Sequence, residues 1–451
     1  MSKESKKNIR KIVIIPDYIF LVLIFPFCLV GLLLAMPWIL KQRRIWKHSV
    51  KGSRKVVILR GFTVEKVANQ GYELLSPYQN SSIRWIAFLD PANTVDTNIE
   101  ITNDLHIVTW KIPRIVRFMK TIRFLATSII LRELISIFKI TSYCVKEQIG
   151  VLRAYKYDYP ALQACVVSAF IKIPFIVDIA SNFELIQRLS GKVYYFRELS
   201  RVPFLRIFAR LATKWLLGLP LRRAFRVLGR NKNNYEYAFA LGAPVERLSL
   251  LRYNNFSAAF NAFNPKHPPV NPADYPYFLF VGRLVEIKFP LDVIDAFNLA
   301  APHLPEFRLV IIGDGAIRDD VQQRKESSKY RERIVLLGAC SSTLVLRWTA
   351  HARVAICPYS GSTLVEAMLC DIPVIAYDVE WHSEIVIDDY TGFLVPFRNT
   401  AALAEKMIYV VRNYEESKRV AMRGRELARV AFDKEKILAK ESIFYKKALE
   451  Q

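Results

Sequence analysis

Glycine is scarce in this sequence, at 16 of 451 residues. No tract of low complexity interrupts it, and no segment recurs at the period of a solenoid repeat, so repeat-array and low-complexity architectures are excluded. Cysteine is equally thin. Six are scattered (Cys28, Cys144, Cys165, Cys340, Cys357, Cys370), mostly inside apolar runs such as "VAICPY" and "LQACVV", and none falls in a C-x-x-C spacing. That pattern excludes a zinc ribbon and a disulfide framework, and it predicts reduced, buried thiols. Acidic residues are lacking in one part of the chain only. Residues 1–270 carry 41 Lys/Arg against 16 Asp/Glu, whereas residues 271–451 carry 24 against 25. The net charge of +24 therefore lies entirely in the first part. Such a surface attracts polyanions, either nucleic acid or anionic membrane. No zinc finger, RNA-recognition or helix-turn-helix signature accompanies it, so nucleic acid is not an expected partner.

Charge is also absent from "YIFLVLIFPFCLVGLLLAMPWIL", residues 18–40. As a helix these residues measure about 34 Å, enough to cross a bilayer core. Lys and Arg flank both ends, and the positive-inside tendency favours the later cluster (Lys41 to Lys55) on the cytosolic side. Pro26, near the middle, also permits a re-entrant hairpin. A membrane segment with basic flanks over 1–54, and association with the cytosolic membrane face, are the expectations.

From residue 55 onward short β-branched runs alternate with longer amphipathic ones. "KVVILRGF", "IRWIAFLD", "LHIVTW", "IGVLRAY" and "PFIVDIA" read as buried parallel strands, with "FRVLGR" and "LSLLRYN" as further members. A Pro/Asn-rich stretch, 261–276, reads as a linker. After it "YFLFVGR", "FRLVIIGDG", "RIVLLGA", "VAICPY", "PVIAYD" and "GFLVP" repeat the rhythm. The predicted fold class is α/β, two doubly wound Rossmann-like domains facing a cleft, with borders at 55–265 and 266–451.

Two helical segments of the first domain are basic and amphipathic. In 113–125, Ile115, Phe118, Met119, Ile122 and Leu125 share a stripe; in 203–216, Phe204, Phe208, Leu211 and Trp215 do. Each is either a domain helix with a solvated charged side or a helix lying at a lipid surface.

Four segments of the second domain carry chemistry. In "FVGRLVEIKFP", Gly282 ends a strand, and Arg283 and Lys288 follow where ligands of such sheets bind. Two cations there suit a diphosphate. "IIGDG" places Gly313, Asp314 and Gly315 at the end of another strand. In "PYSGSTLVEAM", Gly361, Ser362, Thr363 and Leu364 open a helix at its amide-rich end, a good place for phosphate. Glu366 either closes a Thr-x-x-Glu capping box with Thr363 or accepts hydrogen bonds from a sugar hydroxyl pair. "DVEWHSE" adds Glu380 and His382, either as loop residues or as sugar contacts.

In that order the segments resemble the family 4 glycosyltransferases, retaining enzymes of the two-Rossmann GT-B type. The likeness runs from "FLFVGRLVEIKFPLDVIDAF" through "RLVIIGDGAIRDDV" to "STLVEAMLCDIPVIAYDVEWHSEIVIDDYTGFLVP", and more thinly into "AYKYDYPALQACVVSAFIKIPFIVDIASNFELI". The resemblance implies that Arg283 and Lys288 hold a donor diphosphate. It implies that Glu366 holds the nucleotide ribose, that the amides of Ser362 to Leu364 touch phosphate or sugar, and that no metal cofactor is needed. The chain departs from the pattern at three places. Pro358 stands where the family's first Glu would touch the donor sugar, Ala180-Ser181-Asn182 stand where a His is common, and "RGFTVEK" replaces a Gly-rich acceptor loop. Glu380 or His382 is the candidate replacement for the missing sugar contact. The expected activity is transfer of a sugar from a nucleotide-diphosphate donor to a lipid-linked or glycan acceptor at an anionic membrane. The alternative is a non-catalytic nucleotide-binding scaffold.

Overall fold

A computed structural model describes residues 34–50, 53, 55–59, 85–90, 97–102, 105–121, 125–191, 205–252, 256 and 258–450. The chain forms two compact units, one of residues 1–187, 192–251 and 438–451, the other of 188–191 and 252–437.

The first unit is built on an eight-stranded sheet. Its strands are β1 (Lys55–Leu59), β2 (Trp85–Asp90), β3 (Thr97–Thr102), β4 (Leu105–Thr109), β5 (Val151–Ala154), β6 (Phe175–Ile179), β7 (Arg226–Gly229) and β8 (Leu248–Leu250), in the order β3-β4-β2-β1-β5-β6-β7-β8. All neighbours are parallel except β3, which runs antiparallel to β4 at the edge. The apolar runs become these strands because a parallel sheet covered on both faces has no solvated side. Val57, Leu152, Val177 and Val227 are fully buried, packed with Ile140, Ala164 and Leu221 from the covering helices.

The second unit holds six parallel strands, β9 (Tyr277–Val281), β10 (Arg308–Ile312), β11 (Ile334–Gly338), β12 (Val354–Cys357), β13 (Val374–Tyr377) and β14 (Phe393–Val395), ordered β11-β10-β9-β12-β13-β14. The order reverses between β9 and β12, which places a topological switch point at their carboxyl ends.

The structure corrects the expected borders. The first unit ends at Leu251, not 265, and residues 438–451 rejoin it. The cause is a charge network with almost no exposure. Arg153 donates to Asp178 at 2.7 Å and to Tyr445 at 2.7 Å, and it pairs with Glu441; Arg230 completes the set on Asp178. Glu441 and Tyr445 belong to the helix Lys434–Leu449, so the end of the chain is tied to β5 and β6. The stretch 261–276 is likewise no free linker. Phe256, Phe260, Phe263 and Tyr275 pack on the second unit's core, and His351 meets the Pro269 carbonyl at 2.5 Å.

The expected membrane segment lies mostly outside the described residues; its end enters the helix Met36–Ser49, where Met36 and Leu40 are exposed. Among the described residues no helix is long and apolar enough to cross a membrane. The segment 113–125 forms the helix Arg114–Thr121, which buries Val116 and leaves Ile115 and Phe118 more than half exposed. In the helix Leu205–Arg223, Trp215 is 60 % exposed. The side chains of Phe204, Phe208, Leu211, Ile122 and Leu125 lie outside the described residues.

Candidate functional site

The carboxyl ends of β9, β10, β12 and β13 bring most of the expected residues together. After β9 the backbone turns through Gly282 into the loop of Arg283, and a short 3-10 turn, Glu286–Lys288, delivers Lys288. Phe289 then adopts φ +51°, a costly conformation for a bulky side chain, held by packing against Phe397 and Tyr377. That turn fixes Lys288. Its Nζ donates to the Tyr359 carbonyl at 2.8 Å and sits 4.9 Å from the Tyr359 ring centre. Burial, and then the Arg283 charge, push the Lys288 ammonium down to about 8, while Glu380 opposes the shift. The Arg283 side chain is exposed and makes no hydrogen bond or ion pair among the described residues. One cation is therefore held and the other uncommitted.

Tyr359 is the residue that sequence reasoning missed. Its hydroxyl donates to Glu380 Oε2 at 2.5 Å, so Tyr359 links Lys288 to an acid of the loop after β13. Glu380 sits at φ +54°, strained for a non-glycine residue. The signal was present as the aromatic next to Pro358, but nothing in its spacing marks an aromatic as a bridge between charges.

The helix Ser362–Leu369 begins at Gly361, which supplies no side-chain cap. A Cβ on Gly361 would meet nothing within 4 Å, so the protein leaves the space beside this backbone open. The Leu364 amide bonds back to the Gly361 carbonyl at 3.3 Å, whereas Ser362 and Thr363 occupy the turn whose amides a helix cannot satisfy internally. This is an anion-binding end. The capping-box alternative is not realised, because Thr363 lies inside the helix and Glu366 in its second turn. Glu366 makes no hydrogen bond or ion pair among the described residues, and it lines a small cavity with Cys357 and Thr363. Burial alone raises its carboxyl to about 7. An unpaired, half-neutral carboxyl is a group awaiting hydrogen-bond donors.

Two expectations need correction. His382 is not available to a sugar. It is fully buried, its Nε2 accepts the Ser360 amide at 3.1 Å, and its Nδ1 lies 2.9 Å from the Tyr377 carbonyl. Burial lowers its pKa to about 4, so it stays neutral and ties the 358–361 loop to the end of β13. Gly313 and Gly315 serve packing rather than a ligand. A Cβ on Gly313 would lie 1.8 Å from the Gly282 carbonyl, and one on Gly315 2.3 Å from that of Leu284. Gly282 and Leu284 in turn donate to Ile312 and Asp314, so two strand-end loops cross in backbone contact. Asp314 is spent locally, on the Gly315 amide at 2.7 Å and on Arg318 at 3.4 Å.

Residues 264–427 match the family model described as "Glycosyl transferases group 1". That match covers a little over a third of the chain, which there resembles a group 1 glycosyl transferase domain. An uncharacterized glycosyltransferase of Methanocaldococcus jannaschii is 31 % identical over 180 residues, 39 % of this chain and 49 % of that protein. The phosphatidyl-myo-inositol mannosyltransferase of Mycobacterium leprae is 30 % identical over 157 residues, 34 % of this chain and 41 % of its own length. The chain thus spans about half the length of the first relative and less of the second. Among solved structures, Anabaena HepE in complex with UDP and glucose superposes with a TM-score of 0.61 at 14 % identity, over 86 % of this chain and 98 % of that one. Sucrose-phosphate synthase from Thermosynechococcus elongatus gives 0.63 at 17 %, over 87 % and 98 %. These likenesses establish the fold, the Rossmann-like GT-B type, with one parallel sheet and one parallel but for its edge strand β3. The group 1 match coincides with the unit that holds Arg283, Lys288 and Glu366.

Proposed function

We propose that the chain is a retaining, metal-independent glycosyltransferase that moves a sugar from a nucleoside-diphosphate donor to a lipid-linked or glycan acceptor at the cytosolic membrane face. One observation carries the reading: a free cation, Arg283, and a held one, Lys288, stand on the strand-end loop nearest the uncapped helix at Gly361. When the bond between the anomeric carbon and the diphosphate oxygen breaks, negative charge grows on the diphosphate. Preorganised cations and amides aimed at that charge lower the barrier without reorganising. Arg283 binds phosphate oxygens through its fork, Lys288 places a second charge, and the Ser362 and Thr363 amides add dipoles. Glu366 accepts hydrogen bonds from the two ribose hydroxyls, and Glu380 takes the donor-sugar contact left open by Pro358. Cations of the protein do the work that a metal ion does elsewhere, so chelators should leave turnover unchanged. Retention rests on the resemblance to family 4.

The membrane part of the reading is supported by the charge of the first unit and by Ile115, Phe118 and Trp215 standing exposed among basic residues. The Mycobacterium leprae relative bears the name of an enzyme acting on a phosphatidyl lipid. Pro358 favours a second reading, a nucleotide-binding scaffold without turnover. Thermal shift of the detergent-solubilised protein with UDP, GDP, ADP and CMP tests the donor site. Stabilisation by one of them, lost in Arg283→Ala and in Glu366→Ala, is the expected result; no shift with any would overturn it. Binding without sugar release in the presence of a membrane extract would select the scaffold.

A further inference from the structure

The first unit contains a cavity of about 960 Å³ at the opposite edge of its sheet from the carboxyl ends where ligands of such folds bind. It opens beside the amino-terminal ends of β6, β7 and β8. Among the described residues seven cations line it, Arg43, Lys47, Lys172, Arg222, Arg223, Arg226 and Arg247, and no Asp or Glu does. Among the described residues none of the seven lies within ion-pair distance of a carboxylate. Apart from Ser168 the other described lining residues are apolar, among them Trp46, Ile173, Phe175 and Phe225.

An innocent explanation is that helix carboxyl ends attract cations. The helices Met36–Ser49, Tyr159–Ile171 and Leu205–Arg223 all end near this cavity. Each end is worth roughly half a negative charge, about −1.5 in all, which leaves most of the +7 uncompensated. Main-chain carbonyls fix several of the guanidinium groups. Arg226 donates to Glu246 at 2.8 Å, and Arg247 donates to Ala224 at 3.2 Å and Arg222 at 3.3 Å. Arg226 Nε is buried with no partner. A donor left unmatched inside a cage of like charge destabilises the ligand-free protein, and an anion would remove both costs.

We propose that this cavity binds an organic phosphate carrying at least two negative charges. Its volume lies at the upper end of the range for small-molecule sites, far larger than inorganic phosphate needs. Guanidinium forks meet the phosphate oxygens, and Trp46, Phe175 and Phe225 meet the body of the molecule. The phosphate comes either from the headgroup of an anionic lipid or from a free phosphorylated metabolite. Exposed Met36, Leu40 and Ile45 on the helix that also supplies Arg43 and Lys47 suit the lipid source.

The test uses the full-length protein, wild type, Lys172→Gln/Arg223→Gln and Arg283→Gln. Pyrophosphate and glycerol 3-phosphate are titrated by calorimetry, and binding to vesicles of phosphatidylglycerol in phosphatidylcholine is measured by flotation. Both replaced residues are exposed, so the double variant should fold, and in anion-free buffer it should melt no lower than wild type. The expected result is a loss of affinity for the soluble phosphates of at least tenfold in the double variant and little change in Arg283→Gln. Vesicle binding that falls in parallel assigns the lipid headgroup; vesicle binding unchanged assigns the free metabolite. Equal phosphate affinity in the double variant and wild type, or loss only in Arg283→Gln, would overturn the proposal.

Discussion

At the scale of single residues the informative contrast is between Glu366 and His382, two buried titratable groups that the sequence presents alike. His382 has both nitrogens engaged by the main chain and a pKa pushed down to about 4, so it is finished with its hydrogen bonding. Glu366 has none, and burial raises its carboxyl to about 7. The linkage follows from the direction of that shift. A carboxyl whose pKa is higher folded than unfolded binds more protons in the native state, so its contribution is fully present below about pH 4.5 and is lost as pH rises through about 7. Glu366→Gln should therefore match wild type in stability at pH 4 and exceed it at pH 8, by about 2–3 kcal/mol at most. Nucleotide affinity should move the other way, falling at least tenfold at pH 8, because the amide offers one uncharged accepting oxygen where the carboxylate offers two charged ones. Opposed changes in melting temperature and in affinity mark a ligand residue. A Gln variant less stable than wild type at both pH values would mean that Glu366 is structural. No pattern of residue types separates these two roles in advance, since both depend on what the chain folds against them.

At the scale of elements, the short β-branched runs from residue 55 onward became strands, because a strand covered on both faces leaves a continuous β-branched signature. The element that escaped is β3, "TNIEIT", an edge strand whose half-polar alternation resembles a loop. Glycines show the same limit more sharply. Gly313 and Gly361 look equivalent as members of Gly-containing turns after strands, yet one is pressed against a carbonyl at φ +146° and the other faces open space. Gly313→Ala should fail to express as folded protein or lose several kcal/mol, since strain at a positive φ and a backbone clash act together. Gly361→Val should still fold, at a cost of about 1 kcal/mol for a poorer helix cap, and lose nucleotide affinity, because its side chain would enter the open space beside the helix end. Circular dichroism melts and nucleotide titration on the two variants separate these outcomes. A stable Gly361→Val that binds as wild type would remove the helix end from the donor site.

At the scale of the whole molecule, the division of the chain was only partly legible, and the reason is distance along it. The charge step and the Pro/Asn-rich stretch both lie near the true border at Leu251, but nothing local to "KEKILAKESIFYKKAL" announces a partner 288 residues away. Arg153, Asp178, Arg230 and Glu441 balance as two positive and two negative charges with almost no exposure. Removing Glu441 leaves one positive charge uncompensated in a low-dielectric interior. Glu441→Ala should cost about 3–5 kcal/mol, as breaking buried pairs generally does. Arg153→Met combined with Glu441→Leu removes one charge of each sign and keeps Arg230 on Asp178. That double variant should lie well above Glu441→Ala in stability, a strongly non-additive pair. The readout is urea denaturation followed by tryptophan fluorescence, with nucleotide-induced thermal shift as a check on the second unit. The donor site, built within residues 252–437, should keep its nucleotide response in both variants. Additive costs would show that the helix Lys434–Leu449 is held by its apolar contacts through Phe444 and Ala448 and that the charges are incidental to its return.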